Sequence, residues 1–281
     1  MSLFPCAVVA TGWVTEQGGA EVSAESTAPF TEIFAFREGE IGHPVLFAGR
    51  GPPVILLHEL PGFGPEFWRL ARYIVESGFT VFTPALYQPA DASATRAAEA
   101  SGLAAGLIRA CISREIHLFA SDGTGPLTDW LRALARHLVQ RCGHPRVGVV
   151  GLCMTGNFAW SVAVEPVVSA SVAAEPSLPL HRAHAVALTP ADADALRARE
   201  DLPLMVLRFA GDPACRAGRI DTLRACVGAE RVQEHVLPDT AKNPQGNPFP
   251  HAVLTRDLID RAGEPTRAAL DAVIAHLRER L

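Results

Sequence analysis

From residue 45 onward the chain alternates short apolar runs with helical stripes. Val45 to Phe47 and Val54 to Leu57 are compact apolar runs with Gly-Arg-Gly-Pro-Pro between them, the pattern of strands buried on both faces. Phe67 to Val75 carries apolar residues at 67, 70, 71, 74 and 75, one stripe of a helix. Phe79 to Thr83 is again strand-like and is closed by Pro84. Residues 90–125 are rich in Ala, Ser and Gly and only weakly periodic, so loops and at most one short helix are expected there. Pro126 opens a clear helix with Leu127, Trp130, Leu131, Leu134 and Leu138 on one face. Val147 to Gly151 reads as a strand ending at Cys153, and a helical pattern resumes from Gly156 to Val164. Val167 to Ala174, Leu204 to Phe209 and Val232 to Leu237 read as further strands, and Pro265 to Leu281 as a last helix. Strands alternating with helices predict an α/β fold: a mostly parallel central sheet of about eight strands with helices on both faces. One domain, 1–281, accommodates it, with residues 1–43 an N-terminal extension and 90–125 an insert, both of uncertain role.

Composition narrows the partners. Twenty-five Lys and Arg against 30 Asp and Glu leave a formal charge of −5, with no basic stripe to track a phosphate backbone, so no nucleic-acid partner is expected. No apolar run approaches the ~18 residues of a membrane helix, and the first residues lack the charged start of a signal peptide, so neither membrane nor export is expected. The six cysteines include no Cys-x-x-Cys pair and no Cys/His cluster with zinc spacing. A reducing cytoplasm is the expected setting.

The most informative stretch is Val149-Val150-Gly151-Leu152-Cys153-Met154-Thr155-Gly156-Asn157. An apolar strand, a Gly-x-Cys turn and a helix form the context of a nucleophile elbow, in which a sharp turn lifts one side chain above the sheet. Small flanking residues are required because the backbone doubles back on itself. The helix N-terminus beneath Cys153 favours the thiolate, the reactive form of cysteine. The usual pattern has Gly two residues past the nucleophile; here that position is Thr155, and Gly156 follows. The competing reading of the motif is a buried structural cysteine.

An elbow needs an acid and then a histidine further along the chain. Asp212 follows the strand Leu204 to Phe209 through Ala210-Gly211, and His251 lies in the Pro-rich loop Asn247-Pro248-Phe249-Pro250-His251 after the last strand. Each falls past a strand's carboxyl end, where open α/β sheets bind ligands. Taken singly, Asp212 reads as a helix cap and His251 as a surface histidine; their order after Cys153 favours the site. His58 sits at the end of an earlier strand, His235 inside the last strand and His276 inside the last helix. The run Val54-Ile55-Leu56-Leu57-His58-Glu59-Leu60-Pro61-Gly62 enters a Gly-containing turn, where this arrangement supplies its second oxyanion donor. The backbone N–H groups of Leu60 and Met154 are the candidates, and Glu59 is an acid beside them whose alternative reading is a cap or a surface charge.

Together, Glu59-Leu60-Pro61-Gly62, Gly151-x-Cys153-x-Thr155-Gly156, Gly211-Asp212 and His251 with Ala252-Val253-Leu254 resemble the dienelactone hydrolase family of α/β-hydrolases, over most of residues 45–260. The resemblance implies a catalytic set of Cys153, Asp212 and His251, an oxyanion hole of the Leu60 and Met154 N–H groups, and Glu59 as the acid that holds or deprotonates the resting cysteine. It implies hydrolysis of a small ester or lactone through a thioester, by a monomer or homodimer, with no metal or organic cofactor. Members that take carboxylated lactones hold the carboxylate with arginines after the Leu-Tyr of the second buried strand and four residues past the histidine; here Gln88 and Thr255 stand there and Arg256 comes one later. A preference for neutral substrates is therefore expected. Three other readings remain: an acyltransferase using the same cysteine, a non-catalytic binder of a small ligand, and a redox sensor with Cys215 as resolving thiol.

Overall fold

The structure is a computed structural model that describes residues 30, 32–60, 62–86, 125–179 and 182–281. The Ala/Ser/Gly-rich segment expected to hold loops, and Gln88, lie outside the described residues. The strands are β1 (Glu32–Glu38), β2 (Ile41–Gly49), β3 (Pro53–Leu57), β4 (Thr80–Pro84), β5 (Val147–Leu152), β6 (Val168–Ala174), β7 (Leu204–Phe209) and β8 (Val232–Leu237). They form one eight-stranded sheet in the order β1-β2-β4-β3-β5-β6-β7-β8. The β1–β2 and β2–β4 pairs are antiparallel, and every pairing from β4 to β8 is parallel.

The helices are α1 (Pro65–Glu76), α2 (Pro126–Cys142), α3 (Gly156–Val162), α4 (Pro190–Ala198), α5 (Ala217–Val227) and α6 (Pro265–Arg280). Alternate strand residues point to opposite faces, and two apolar layers follow from that. On one face Ile55, Leu57, Val149 and Val206 meet α2 and α3 through Trp130, Leu131, Leu134 and Phe158. On the other, Leu56, Val150, Leu152 and Leu207 meet α1 and α6 through Phe67, Leu70, Leu270 and Val273. Each strand from β3 to β7 is covered on both sides, which is why these strands read as apolar runs rather than alternating ones. Among the described residues no helix is long and apolar enough to cross a membrane.

One element escapes the pattern. Residues 32–43, expected to belong to an extension, form β1 and the start of β2, a hairpin in register from Glu32–Phe47 to Glu38–Ile41. β1 is an edge strand whose Phe34 and Phe36 pack on the core while Ile33 is exposed, so it shows neither clean alternation nor a continuous apolar run.

Candidate active site

β5 ends at Leu152 and the next residue, Cys153, has φ +50°, a left-handed conformation that a residue with a side chain adopts only when its surroundings enforce it. A single 3-10 turn, Cys153–Thr155, leads directly into α3. The turn is so tight that a Cβ at Gly151 would lie 2.4 Å from the Thr155 carbonyl oxygen, and one at Gly156 would lie 2.9 Å from Pro176 Cα. The small residues the elbow needs are thus at 151 and 156. Thr155, where the usual pattern has glycine, is wholly buried and knots the turn: its hydroxyl accepts from Leu152 N–H (3.0 Å) and lies 2.8 Å and 3.1 Å from the carbonyls of Leu152 and Leu57. That last contact ties the Cys153 turn to the end of β3, next to Glu59 and Leu60.

The structure brings Cys153, Asp212 and His251 together. Asp212 Oδ2 lies 2.8 Å from His251 Nδ1, while its Oδ1 accepts from the N–H groups of Ala214 (2.8 Å) and Cys215 (3.0 Å), which fixes the direction of the carboxylate. The His251 side chain also lies close enough to Cys153 for the sulfur to act on its imidazole. With Nδ1 turned to Asp212, it is Nε2 that faces the sulfur. Burial on its own lowers the His251 pKa, but the Cys153 charge, then the hydrogen bonds to Asp212 and Cys153, outweigh it and hold the pKa up to about 12. These contacts favour the protonated imidazolium form of His251. Cys153 is partly exposed. Cys215 is wholly buried and its thiol is pushed up by burial, and both cysteines are free thiols.

Glu59 is buried, and its Oε1 accepts from the Thr255 hydroxyl. Burial raises its pKa more than the Thr255 bond and the charges on His251 and Arg256 lower it. Leu60 follows in the turn after β3, and Arg256 lines a small cleft there with Glu59, Leu60, Gly62, Gly64, Glu66 and Phe67. Met154 lies in the first turn after Cys153, where backbone N–H groups lack intrahelical acceptors. His58 is placed elsewhere. Its Nε2 accepts from Leu86 N–H (3.1 Å), so Nδ1 carries the proton and donates to the Glu59 carbonyl (3.1 Å); burial lowers its pKa to about 4.

Three groups around this site carry no sequence signature of their own. Asp257 is a buried carboxylate that accepts from the backbone N–H of Asn247, His251 and Ala252 and from the Asn247 amide, at 3.0–3.1 Å, and so shapes the histidine loop. Glu175 immediately follows β6 with φ +39°; its Oε2 accepts from Val253 N–H (3.2 Å) and its buried Oε1 has no partner among the described residues. Burial raises its pKa well above the usual carboxylate range, helped by the charges of Glu59, Cys153 and Asp212 and opposed by His251. Ser177 Oγ lies 3.4 Å from Cys153 Sγ. The one available hint is the position of Glu175-Pro176-Ser177 at the carboxyl end of a strand, where site loops begin.

An eight-stranded, mostly parallel sheet with a cysteine elbow after β5, an acid after β7 and a histidine after β8 defines an α/β-hydrolase. The dienelactone hydrolase family model matches residues 41–233, more than half of the chain, and the protein belongs to that family of ester and lactone hydrolases. His251 lies beyond the matched span and is placed by the geometry alone. No curated protein matches the chain. Among solved structures, a dienelactone hydrolase from Anabaena variabilis is similar with a TM-score of 0.55 at 14% identity, covering 91% of this chain and 100% of its own. The dienelactone hydrolase-like promiscuous phosphotriesterase P91 from metagenomic libraries gives 0.54 at 15%, covering 87% and 97%. A zinc-bound cold-adapted esterase from an Arctic intertidal metagenomic library gives 0.52 at 15%, covering 87% and 92%. At such identities these likenesses establish the fold.

Proposed function

We propose that the protein is a cysteine-dependent hydrolase of small esters or lactones. The observation that carries this reading is the linked set of contacts from Asp212 through His251 to Cys153. The Cys153 thiolate attacks the substrate carbonyl carbon, and the Leu60 and Met154 N–H groups receive the charge that develops on oxygen; losing one such donor costs on the order of 3 kcal/mol. The C–O bond breaks, the leaving oxygen takes the proton from His251 Nε2, and a thioester remains. Water then adds to the thioester as Nε2 takes its proton, and the thiolate departs. Asp212 keeps Nδ1 toward itself and Nε2 toward the chemistry throughout. Glu59 adjoins the oxyanion turn as a buried acid held by Thr255, and it is assigned to keeping the resting cysteine in place.

Thr255 occupies the position of a carboxylate-holding arginine, and its hydroxyl is engaged with Glu59. Arg256 shares its cleft with two acids, Glu59 and Glu66. Both features support neutral over carboxylated substrates, because a carboxylate buried there lacks a free bidentate partner. A free nucleophilic thiol suits a cytoplasmic setting, and the site is complete within one chain, in keeping with a monomer or homodimer.

Cys153→Ala should abolish hydrolysis of p-nitrophenyl acetate while moving Tm by no more than a few degrees; full activity in that variant overturns the reading. Acyl transfer with the same cysteine is separated by product analysis: a transferase yields the new ester or thioester when an alcohol or thiol is added. A matched pair of neutral and carboxylated esters tests the substrate class, and a higher kcat/KM for the carboxylate would refute it.

A further inference from the structure

The segment after β6 carries a hydroxyl against the sulfur that the mechanism above does not use. Ser177 is buried, its Oγ is 3.4 Å from Cys153 Sγ, and both of its backbone polar groups are held. Its N–H donates to the Cys153 carbonyl (3.1 Å), and its own carbonyl accepts from Arg219 Nη2 (3.4 Å). Arg219 is a wholly buried guanidinium that also donates to the carbonyls of Leu178, Pro179 and Ala185. One residue further, Leu178 N–H donates to Asn157 Oδ1 on α3 (3.1 Å). The Ser177 backbone is thus fixed to the elbow at one end and to a buried cation at the other, which holds its Cα beside Cys153 and its hydroxyl within reach of the sulfur.

We propose that Ser177 is a further catalytic residue, whose hydroxyl donates a hydrogen bond to the Cys153 thiolate and stabilises it both at rest and as the leaving group in deacylation. This inference rests on the reading of Cys153 as nucleophile. In deacylation, water oxygen has bonded to the acyl carbon and its proton sits on His251 Nε2. The C–S bond then breaks with its electron pair staying on sulfur, and that charge is what the Ser177 proton meets. In the thioester the sulfur is neutral and a poor acceptor, so the bond strengthens as the thiolate leaves, which is what accelerates a step. In acylation the same bond restrains the nucleophile. Ser177 therefore favours hydrolysing the acyl-enzyme at some expense to forming it.

The test compares Ser177→Ala and Ser177→Thr with the parent in two assays. The first is the rate of Cys153 alkylation by iodoacetamide, followed by mass spectrometry from pH 5.5 to 9.5. The charged and titratable groups of the site, Glu59 from the turn after β3, Glu175 from the end of β6, Asp212 from the loop after β7 and His251 from the loop after β8, are present in all three proteins. A hydrogen bond to a charged group is worth about tenfold or more. Ser177→Ala should therefore be alkylated about tenfold more slowly at pH 6, yet as fast as the parent or faster at pH 9.5, above the ordinary thiol range, where the bare thiolate is the better nucleophile. Ser177→Thr, which keeps the hydroxyl, should follow the parent. In the second assay, p-nitrophenyl acetate should give Ser177→Ala a burst and an acyl-enzyme that persists about tenfold longer. An alkylation profile that superimposes on the parent, or is scaled equally at every pH, overturns the proposal, since a merely structural defect would scale it so. If Ser177→Ala does not fold, Ser177→Gly carries the same comparison. A Cys153→Ala protein that still hydrolyses the ester defeats the nucleophile reading itself; loss of activity there with an unchanged Ser177→Ala profile defeats only the role of Ser177.

Discussion

Replacing Glu175 with glutamine isolates the cost of a buried acid at the centre of the site. The Glu175 carboxyl has no exposed surface, one oxygen accepts from Val253 N–H, and the other has no partner among the described residues. An ionised carboxylate in that position would face Glu59, Cys153 and Asp212 with only His251 in its favour, so the folded protein holds it as the neutral acid well above the usual pKa of 4.5. In the unfolded chain the same group ionises near its ordinary value. Between the two pKa values folding therefore takes up a proton, and stability falls as pH rises, by about 1.4 kcal/mol per pH unit; below the unfolded value the penalty vanishes. A glutamine in its place would keep an acceptor for Val253 N–H and has no proton to take up. Its own packing cost is the same at every pH, so the slope reports ionisation alone. For a chain of this size about 1 kcal/mol moves Tm by roughly 2–4 °C, which translates into a Tm difference between Glu175→Gln and the parent that grows by about 3–5 °C per pH unit above pH 5. Thermal melts at half-unit steps from pH 4.5 to 8 measure it. A difference that stays flat across that range would show that Glu175 is already a carboxylate in the folded protein and would refute the argument.

Other positions yield shorter tests. Asp257→Ala removes an acceptor of four hydrogen bonds in the His251 loop; since each buried bond to a charged group is worth about 1.5–3 kcal/mol, urea unfolding should show a loss of at least about 3 kcal/mol, and kcat should fall further than KM changes. Gly151→Ala drives a Cβ into the Thr155 carbonyl and should yield an inactive or insoluble protein, whereas Gly263→Ala, where nothing lies near the added atom but φ is +88°, should cost only about 1 kcal/mol. With His251 an imidazolium up to about pH 12, the parent should be alkylated at Cys153 rapidly at pH 6; His251→Ala should slow that reaction at least about tenfold, and equal rates at pH 6 would remove the ion pair from the argument.

What can be read from the chain, and what cannot, divides along a physical line. Strands β3 to β8 and helices α1, α2 and α6 are burial patterns, local in sequence, and they are legible to within a few residues. The site residues that can be found are those that chemistry requires at the carboxyl ends of strands: Cys153 after β5, Asp212 after β7 and His251 after β8. The edge strand β1 escapes because it is half exposed and borrows its burial from α2, through Phe36 against Trp130. Glu175, Ser177 and Arg219 escape because their partners come from distant segments, as Val253 does for Glu175 and Ser177 for Arg219, and Asp257 escapes because it gathers backbone N–H groups of its own irregular loop. No spacing rule announces such pairs. Thr155 makes the same point in reverse. Against the usual glycine it reads as a weakness of the motif, yet its hydroxyl binds the ends of β3 and β5 to each other, which joins the turn bearing Cys153 to the turn bearing Leu60, the proposed nucleophile and the proposed oxyanion donor. A glycine there would leave the Leu152 N–H without that acceptor, so the departure from the pattern is itself part of how this chain holds the two halves of its site in register.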